Sequence, residues 1–422
     1  MRRSSANRPE GGAGTVARPS GGAQRAALRF ILLMGVLSFF ADFTYEGARS
    51  SIGPYLATLG ATATVVGVVT GLGELLGYGL RLVSGRLADS TGQFWPISIA
   101  GYLLQMSAVP ALALTHDWPS AAALIVLERV GKAVRNPPRD VMLAQAARQV
   151  GGYGWTFGIH EALDQFGAML GPLLVAAVLA RQGDYRSAFA LLLVPAALNI
   201  GLVLLTRWLY PRPQDMENEP GNPEQHNGLP HTYWLYFCAA LLVAAGFADY
   251  PLMAYHFSRT HSVPTQWIAI FYAVAMGVSG CGSLLFGRLF DRYGFKVLVG
   301  LTLASSAFAP LTLLGGFWCA LWGAAIWGMG MGVHESIIPA AVAPMVPSTR
   351  RASAFGLFTA GYGIAWFAGS SLIGILYDHS LAATVAFCVL SQLAAVPILW
   401  YVGQRIGNLA PGDDRYSSPA PP

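Results

Sequence analysis

Gly85-Arg86-Leu87-Ala88-Asp89 closes one apolar stretch of this sequence, and Gly287-Arg288-Leu289-Phe290-Asp291 closes another 202 residues later. Phe40-Ala41-Asp42-Phe43 recurs in the same way as Phe247-Ala248-Asp249-Tyr250, and Gly158 and Gly171 recur as Gly356 and Gly369, at offsets of 207 and 198 residues. One short match carries little weight. Three matches in the same order, in near-constant register, mean that the chain holds one unit twice.

The composition says what kind of unit. Of 422 residues 54% are hydrophobic and 11% charged, against about 25% charged in soluble domains. Mean hydropathy is +0.48. This excludes most soluble enzymes, nucleic-acid binders and disordered chains. The net charge of +5 comes almost wholly from arginine, since Lys132 and Lys296 are the lysines. These cations sit in short loops rather than along one face, so no nucleic-acid partner is expected. Cys238, Cys281, Cys319 and Cys388 all fall in apolar runs without paired spacing. They read as buried structural thiols, with neither a disulfide framework nor a metal site.

A membrane-spanning helix needs about 20 mostly apolar residues. Twelve runs meet that need, near 30–49, 65–87, 95–114, 119–136, 154–180, 187–209, 232–256, 266–288, 295–315, 317–338, 352–377 and 382–404. The fold expected is therefore all-α and membrane-embedded, with twelve transmembrane helices in two pseudo-symmetric six-helix halves. The halves are 28–209 and 232–404, joined by a polar linker over 210–231 and flanked by a disordered tail over 1–27 and a polar tail over 405–422. The first apolar run carries no small-residue cleavage site, so it reads as a retained helix, not a signal peptide. Arg86, Arg139, Arg148, Arg207, Arg212, Arg288, Arg292, Lys296, Arg350 and Arg351 all fall on the side of the termini. The positive-inside rule then places both termini in the cytoplasm.

Parallel six-helix repeats about an axis along the membrane normal are the build of one large transporter class. The residues named so far resemble the major facilitator superfamily over essentially both halves. The loop after the second span of that family carries G-x-x-x-D-(R/K)-x-G-(R/K)-(R/K). Here the second copy keeps Gly287, Arg288, Asp291, Arg292, Gly294 and Lys296. The first keeps Gly85, Arg86, Asp89 and Gly92, with Ser90, Gln93 and Phe94 where basic residues are usual. The resemblance implies that this loop clasps neighbouring helix ends as a gate, with Lys132 and Arg135 of the fourth span as partners for Asp89. Gly158-x8-Gly167-x3-Gly171-Pro172 is similar to the antiporter motif of efflux members, without its trailing Gly-Gly. Glycines at this spacing also let helices approach closely. Further segments, Ser38-Phe39-Phe40-x-Asp42-x3-Glu46 and Gly131-Lys132-x2-Arg135, look like a prokaryotic branch of the family, which implies residence in the cytoplasmic (inner) membrane.

An ionisable residue inside a span is costly and marks function by default. Asp42 and Glu46 share a face of the first span, with Arg49 a turn farther on. Either carboxylate is a candidate substrate or proton site, and the recurrence of Asp42 as Asp249 also fits a packing role. Glu74 is a candidate cavity-lining residue. His160, Glu161 and Asp164 lie within one or two turns and form either a proton relay or the partners of the basic stripe on span four. His334-Glu335 at a similar depth of span ten is a candidate gate element. Trp267, Trp327, Tyr362 and Trp366 either line an apolar cavity or belong to belts and packing.

No H-E-x-x-H, G-x-S-x-G or G-x-x-x-x-G-K-(S/T) is present, so metalloprotease, lipase and nucleotide-driven chemistry are not indicated. The expectation is not an enzyme but a secondary transporter without cofactor or metal. It would act as a monomer in the lipid bilayer and export a small molecule in exchange for protons. Proton-linked uptake of a metabolite, or a transport-inactive sensor on the same fold, are the alternatives.

Overall fold

A computed structural model describes residues 21–147, 150, 153–212, 229–334, 338, 341–342, 345 and 351–409, with the side chains of a few helical residues left undescribed. The first half contains α1 (Gly21–Thr58), α2 (Ala63–Thr91), α3 (Phe94–Ala111), α4 (Trp118–Ala147), α5 (Tyr153–Gln182), α6 (Tyr185–Leu191) and α7 (Leu193–Leu209). The second contains α8 (His231–Ala245), α9 (Tyr250–Thr260), α10 (Thr265–Tyr293), α11 (Phe295–Ser305), α12 (Phe308–Leu314), α13 (Phe317–Gly332), α14 (Arg351–His379) and α15 (Leu381–Leu409). The pairs α6/α7, α8/α9 and α11/α12 each continue one span through a short break, which gives twelve crossings.

Ten of these crossings are long and apolar enough to span a membrane on those grounds alone. The other two are α4 and α13. Glu128, Arg129, Lys132, Arg135, Arg139 and Asp140 interrupt α4. The described part of α13 is 16 residues long. The chain is an integral multi-pass membrane protein. An even number of crossings puts both termini at one end, and the opposite end is called distal below.

Several boundaries and burials differ from the sequence expectation. Helix α1 begins at Gly21, inside the stretch read as a tail to 27, and α15 continues to Leu409, past 404. The 38 residues of α1 extend about 57 Å at 1.5 Å per residue, well beyond a hydrocarbon core of about 30 Å. Ends outside the apolar layer have no hydropathy signal. Residues 1–20, most of the linker (213–228) and 410–422 lie outside the described residues. Cys238, Cys281 and Cys319 are exposed, and Cys388 is the buried thiol. In a bilayer the outward faces are as apolar as the inward ones, so an apolar run does not say which way a thiol points.

Within the first half α1 packs on α5, α2 and α3 on α4, and α7 on α1 and α3. Within the second α10 packs on α13, and α8 and α11 on α15. The halves meet mainly through α2 with α14, α5 with α10, and α1 with α9, and also through α2 with α9 and α1 with α10. Glycine sets these approaches. A Cβ on Gly53 of α1 would fall on the Pro251 carbonyl of α9, and one on Gly67 of α2 on the Ser370 carbonyl of α14. At the distal end Asp378 of α14 accepts from the Ala63 and Thr64 amides (3.1 and 2.8 Å) and the Thr64 hydroxyl (2.6 Å). A carboxylate there caps the first turn of α2 and complements its dipole. The Tyr255 hydroxyl adds a bond to the Ala61 carbonyl at 3.2 Å. His256 of α9 is buried and bonded to the Tyr377 hydroxyl at 2.7 Å. Towards the termini the glycine contacts between α2 and α14 relax, with Gly356 meeting Leu82 Cδ2 at 3.6 Å. The distal end is therefore the sealed one.

Gly53→Ala should lower the thermal unfolding midpoint of the detergent-solubilised chain, with a cost of about 1–3 kcal/mol for overpacking. Gly79→Ala, on α2 with nothing within 4 Å of the added carbon, should instead be neutral or stabilising by up to about 1 kcal/mol. Equal effects at both sites would refute the seal as described.

Candidate functional site

The membrane interior is where α1 and α4 place their charges face to face. Gly167 and Gly171 on α5 allow α1 to lie against backbone at Phe39, Phe43 and Gly47, and Gly101 and Gly131 do the same for α3 against α4. Gly167 and Gly171 thus pack α5 on α1. For Gly158 no more than its place in α5 is described. Tight packing on both flanks leaves the polar stripe of α1, Ser38-Asp42-Tyr45-Glu46-Arg49, turned towards α4.

Rungs form along that stripe. Arg135, fully buried, reaches Asp42 Oδ1 at 3.3 Å, Gln105 Oε1 at 2.6 Å and the Tyr102 hydroxyl at 3.2 Å. Lys132 lies 4.0 Å from Asp42 Oδ2 and 4.1 Å above the Tyr45 ring. Gln105 continues the chain by donating to Glu128 at 2.8 Å, and Arg129 Nε lies 3.7 Å from the other Glu128 oxygen. Arg129 also meets Glu74 Oε1 of α2 at 2.9 Å. Nearer the termini, Ser38 Oγ accepts from Arg139 at 3.1 Å and bonds His160 Nε2 at 2.7 Å.

The network crosses between the halves at Arg49. Its Nη2 lies 3.1 Å from Glu74 Oε1 in its own half and 3.5 Å from Asp249 Oδ1 in the other. Its Nη1 donates to the Tyr45 hydroxyl at 3.0 Å and stands 4.0 Å from Glu46. Asp249, 1% exposed, also accepts from Trp366 Nε1 at 3.2 Å and Ser370 Oγ at 2.9 Å, both on α14. A second crossing runs from the Tyr272 hydroxyl of α10 to Glu46 Oε2 at 2.5 Å.

The two repeated aspartates occupy different backbones. Asp42 lies in unbroken helix, whereas Asp249 is the N-cap of α9, after a break that follows Ala245. Pro251 makes the difference: proline lacks an amide donor and disfavours helix before it, and the matching position in α1 is Thr44. Trp327 Nε1 takes up the freed Ala248 carbonyl at 2.8 Å. Such irregular backbone is tolerated at membrane depth where protein surrounds it.

The residues singled out from sequence fall into three groups. Asp42, Glu46, Glu74 and Asp249 join one network. Lys132 and Arg135, expected as partners of the loop residue Asp89, lie beside Asp42 of α1 among the described residues. His334 forms no ion pair among the described residues; it is bonded to the Tyr362 hydroxyl at 2.6 Å and packed on Phe247 and Trp366 beside a small cavity that Tyr78 and Phe358 also line. Trp327 and Trp366 are interior and Trp267 is exposed. Arg86, Arg288 and Arg292 are exposed, while the side chains of Asp89, Glu161 and Asp291, and Glu335 as a whole, lie outside the described residues. Asp164 is half-buried on α5. Glu128, Arg129, Gln105, Tyr272 and, as a donor to Asp249, Trp366 were missed as network members. The charges of Glu128 and Arg129 inside a span were the available signal, since the others are uncharged residues of apolar helices.

A family model described as Major Facilitator Superfamily matches residues 31–370 and 232–415. Uncharacterized protein Rv2265 of Mycobacterium tuberculosis is 41% identical over 95% of this chain and 100% of its own length. Uncharacterized MFS-type transporter MJ1317 of Methanocaldococcus jannaschii is 22% identical over 88% of this chain and 94% of its own length. Multidrug resistance protein MdtH of Edwardsiella ictaluri is 29% identical over 43% of this chain and 44% of its own length. Among solved structures, the peptide transporter POT in complex with sulfate aligns with TM-score 0.72 at 16% identity, over 92% of this chain and 99% of that one. At that identity the likeness concerns the fold alone.

Arg49→Met should destabilise the fold by about 3–5 kcal/mol, because it strands buried carboxylates. Adding Asp249→Asn should recover part of that loss. A double-mutant cycle checks the pair, and strict additivity of the two changes would contradict direct coupling.

Proposed function

We propose that this chain, which belongs to the Major Facilitator Superfamily, exports a small organic solute across the prokaryotic cytoplasmic membrane by alternating access, in exchange for protons. The chain acts as a monomer with both termini in the cytoplasm, the side to which the arginine-rich loops assign them. One observation carries the coupling. Within 4 Å links, or through Gln105, five carboxylates (Asp42, Glu46, Glu74, Glu128, Asp249) meet four cations (Arg49, Arg129, Lys132, Arg135). A fully ionised network in this count carries one surplus negative charge in a medium that penalises it, and one proton balances it.

Asp249 is the best place for that proton. It is the carboxylate that the second half contributes, and Arg49 is shared between it and Glu74. A proton on Asp249 leaves Arg49 to Glu74 and weakens the link between halves, whereas loss of the proton restores it. Opening at the distal end must also release the Asp378 cap and part α1 from α9. Export is supported by the partial likeness to MdtH and by the Gly158, Gly167, Gly171, Pro172 pattern. The aromatic surroundings of His334 suit an apolar or amphipathic solute.

The test uses inside-out vesicles with an imposed pH gradient, acid inside, and a chemically diverse panel of compounds. A transported compound should collapse the gradient, and Asp249→Asn should abolish the collapse while leaving compound binding measurable. Asp42→Asn and Glu46→Gln map the remainder of the network. Proton and solute movement in the same direction would establish uptake by symport instead. Binding without any proton or solute movement would establish a sensor.

A further inference from the structure

Away from the charged network, at the end that carries the termini, a cavity of about 580 Å³ opens between the α10–α11 turn and the last turns of α15. Its polar wall is Lys296 and Gln404, and its apolar wall includes Val299 and Ile406. Tyr293 and Trp400, 51% and 48% exposed, stand in its rim. Arg292 lies over the Tyr293 ring with its guanidinium carbon 5.3 Å from the centroid, and Arg288 is one turn earlier on α10. Gly294 turns the chain at φ +60, and nothing stands within 4 Å of where its Cβ would be, so the mouth stays open. Lys296 and Arg292 are both exposed.

We infer that this cavity is a binding site for an anionic phospholipid of the surrounding leaflet. Three features converge on that occupant. The cavity lies where three membrane helices end, so a headgroup is already at its mouth. Exposed Tyr and Trp at a helix end belong to the membrane–water interface, where amphipathic rings sit at headgroup level. Basic side chains over an apolar wall match a phosphate joined to acyl chains, the pattern by which basic pockets between membrane helices hold lipid headgroups. The site lies wholly in the second half and is separate from the Arg49–Asp249 link, so it stands whether or not the chain exchanges protons.

The test is native mass spectrometry of the detergent-purified full chain, titrated with phosphatidylglycerol or phosphatidylcholine. Phosphatidylglycerol should bind more tightly, and Lys296→Gln, which removes the one cation in the cavity wall, should weaken it about fivefold, the worth of one basic residue near a membrane surface. Arg405→Gln is the control. Arg405 lies at the same end but bonds the Tyr401 hydroxyl at 2.9 Å and does not line the cavity, so this variant should bind as the unmodified chain does. Equal binding of both lipids, or equal weakening by Arg405→Gln, overturns the proposal. Displacement of the lipid by soluble glycerol phosphate at matching concentration also overturns it, since the site would then read a free phosphate ester. For variants that do not fold, a photoactivatable phosphatidylglycerol on the unmodified chain serves instead. Adducts confined to residues 293–299 and 400–406 support the site, and adducts elsewhere refute it.

Discussion

Arg49 answers to two halves of the molecule at once. A guanidinium cannot shed its charge, so inside a bilayer it must keep a carboxylate within reach in every conformation. Glu74 meets that need from within the same half at 3.1 Å, and Asp249 meets it from the other half at 3.5 Å. In the proposed cycle the first contact can persist while the halves move, and the second cannot. A permanent partner and a conditional one on the same nitrogen make a junction that separates without stranding its cation.

Close helix approach is the precondition for that arrangement. Ion pairs in a low-dielectric interior repay desolvation only with good geometry and further hydrogen bonds. Gly47 against Gly171, Gly101 against Gly131 and Gly53 against Pro251 bring backbones together on the flanks of α1 and α3. Side chains of ordinary length then meet across the gaps: Arg135 reaches Asp42, Gln105 and Tyr102 together, and Tyr272 reaches Glu46. The glycines thus bear on the charge network through distance, although none of them carries a polar side chain.

Legibility in the sequence followed the same division. Hydropathy and the internal repeat suffice for twelve crossings in two halves, because both depend on local composition. Asp42, Glu46, Glu74 and Asp249 stand out because a charge in an apolar run is conspicuous wherever it points. Who pairs with whom is not local. That Lys132 and Arg135 reach Asp42 depends on the rotation of α4 about its axis, which no local composition records. The break before Asp249 was encoded in Pro251 but hidden by the match of Phe247-Ala248-Asp249-Tyr250 to an unbroken stretch. The thiols of Cys238, Cys281 and Cys319 escaped because lipid-facing and core-facing positions share one composition.

The duplication also explains why the two halves are no longer equivalent. All four cations of the network belong to α1 and α4, and the second half answers with Asp249, Tyr272, Trp366 and Ser370. A symmetric arrangement with cations on both sides would place like charges across the junction and force the halves apart in every state. Concentrating the cations on one side leaves the other, among the described residues of the network, with the Asp249 carboxylate held by neutral donors of its own half. In the proposed exchange the state of that carboxylate decides whether the junction is an ion pair or a weaker contact to a neutral acid. Pro251 adds the final element, because a broken helix holds Asp249 at the point where α1 and α9 part. The Arg49–Asp249 bond thus lies on the boundary between the halves, the line along which the proposed cycle would part them.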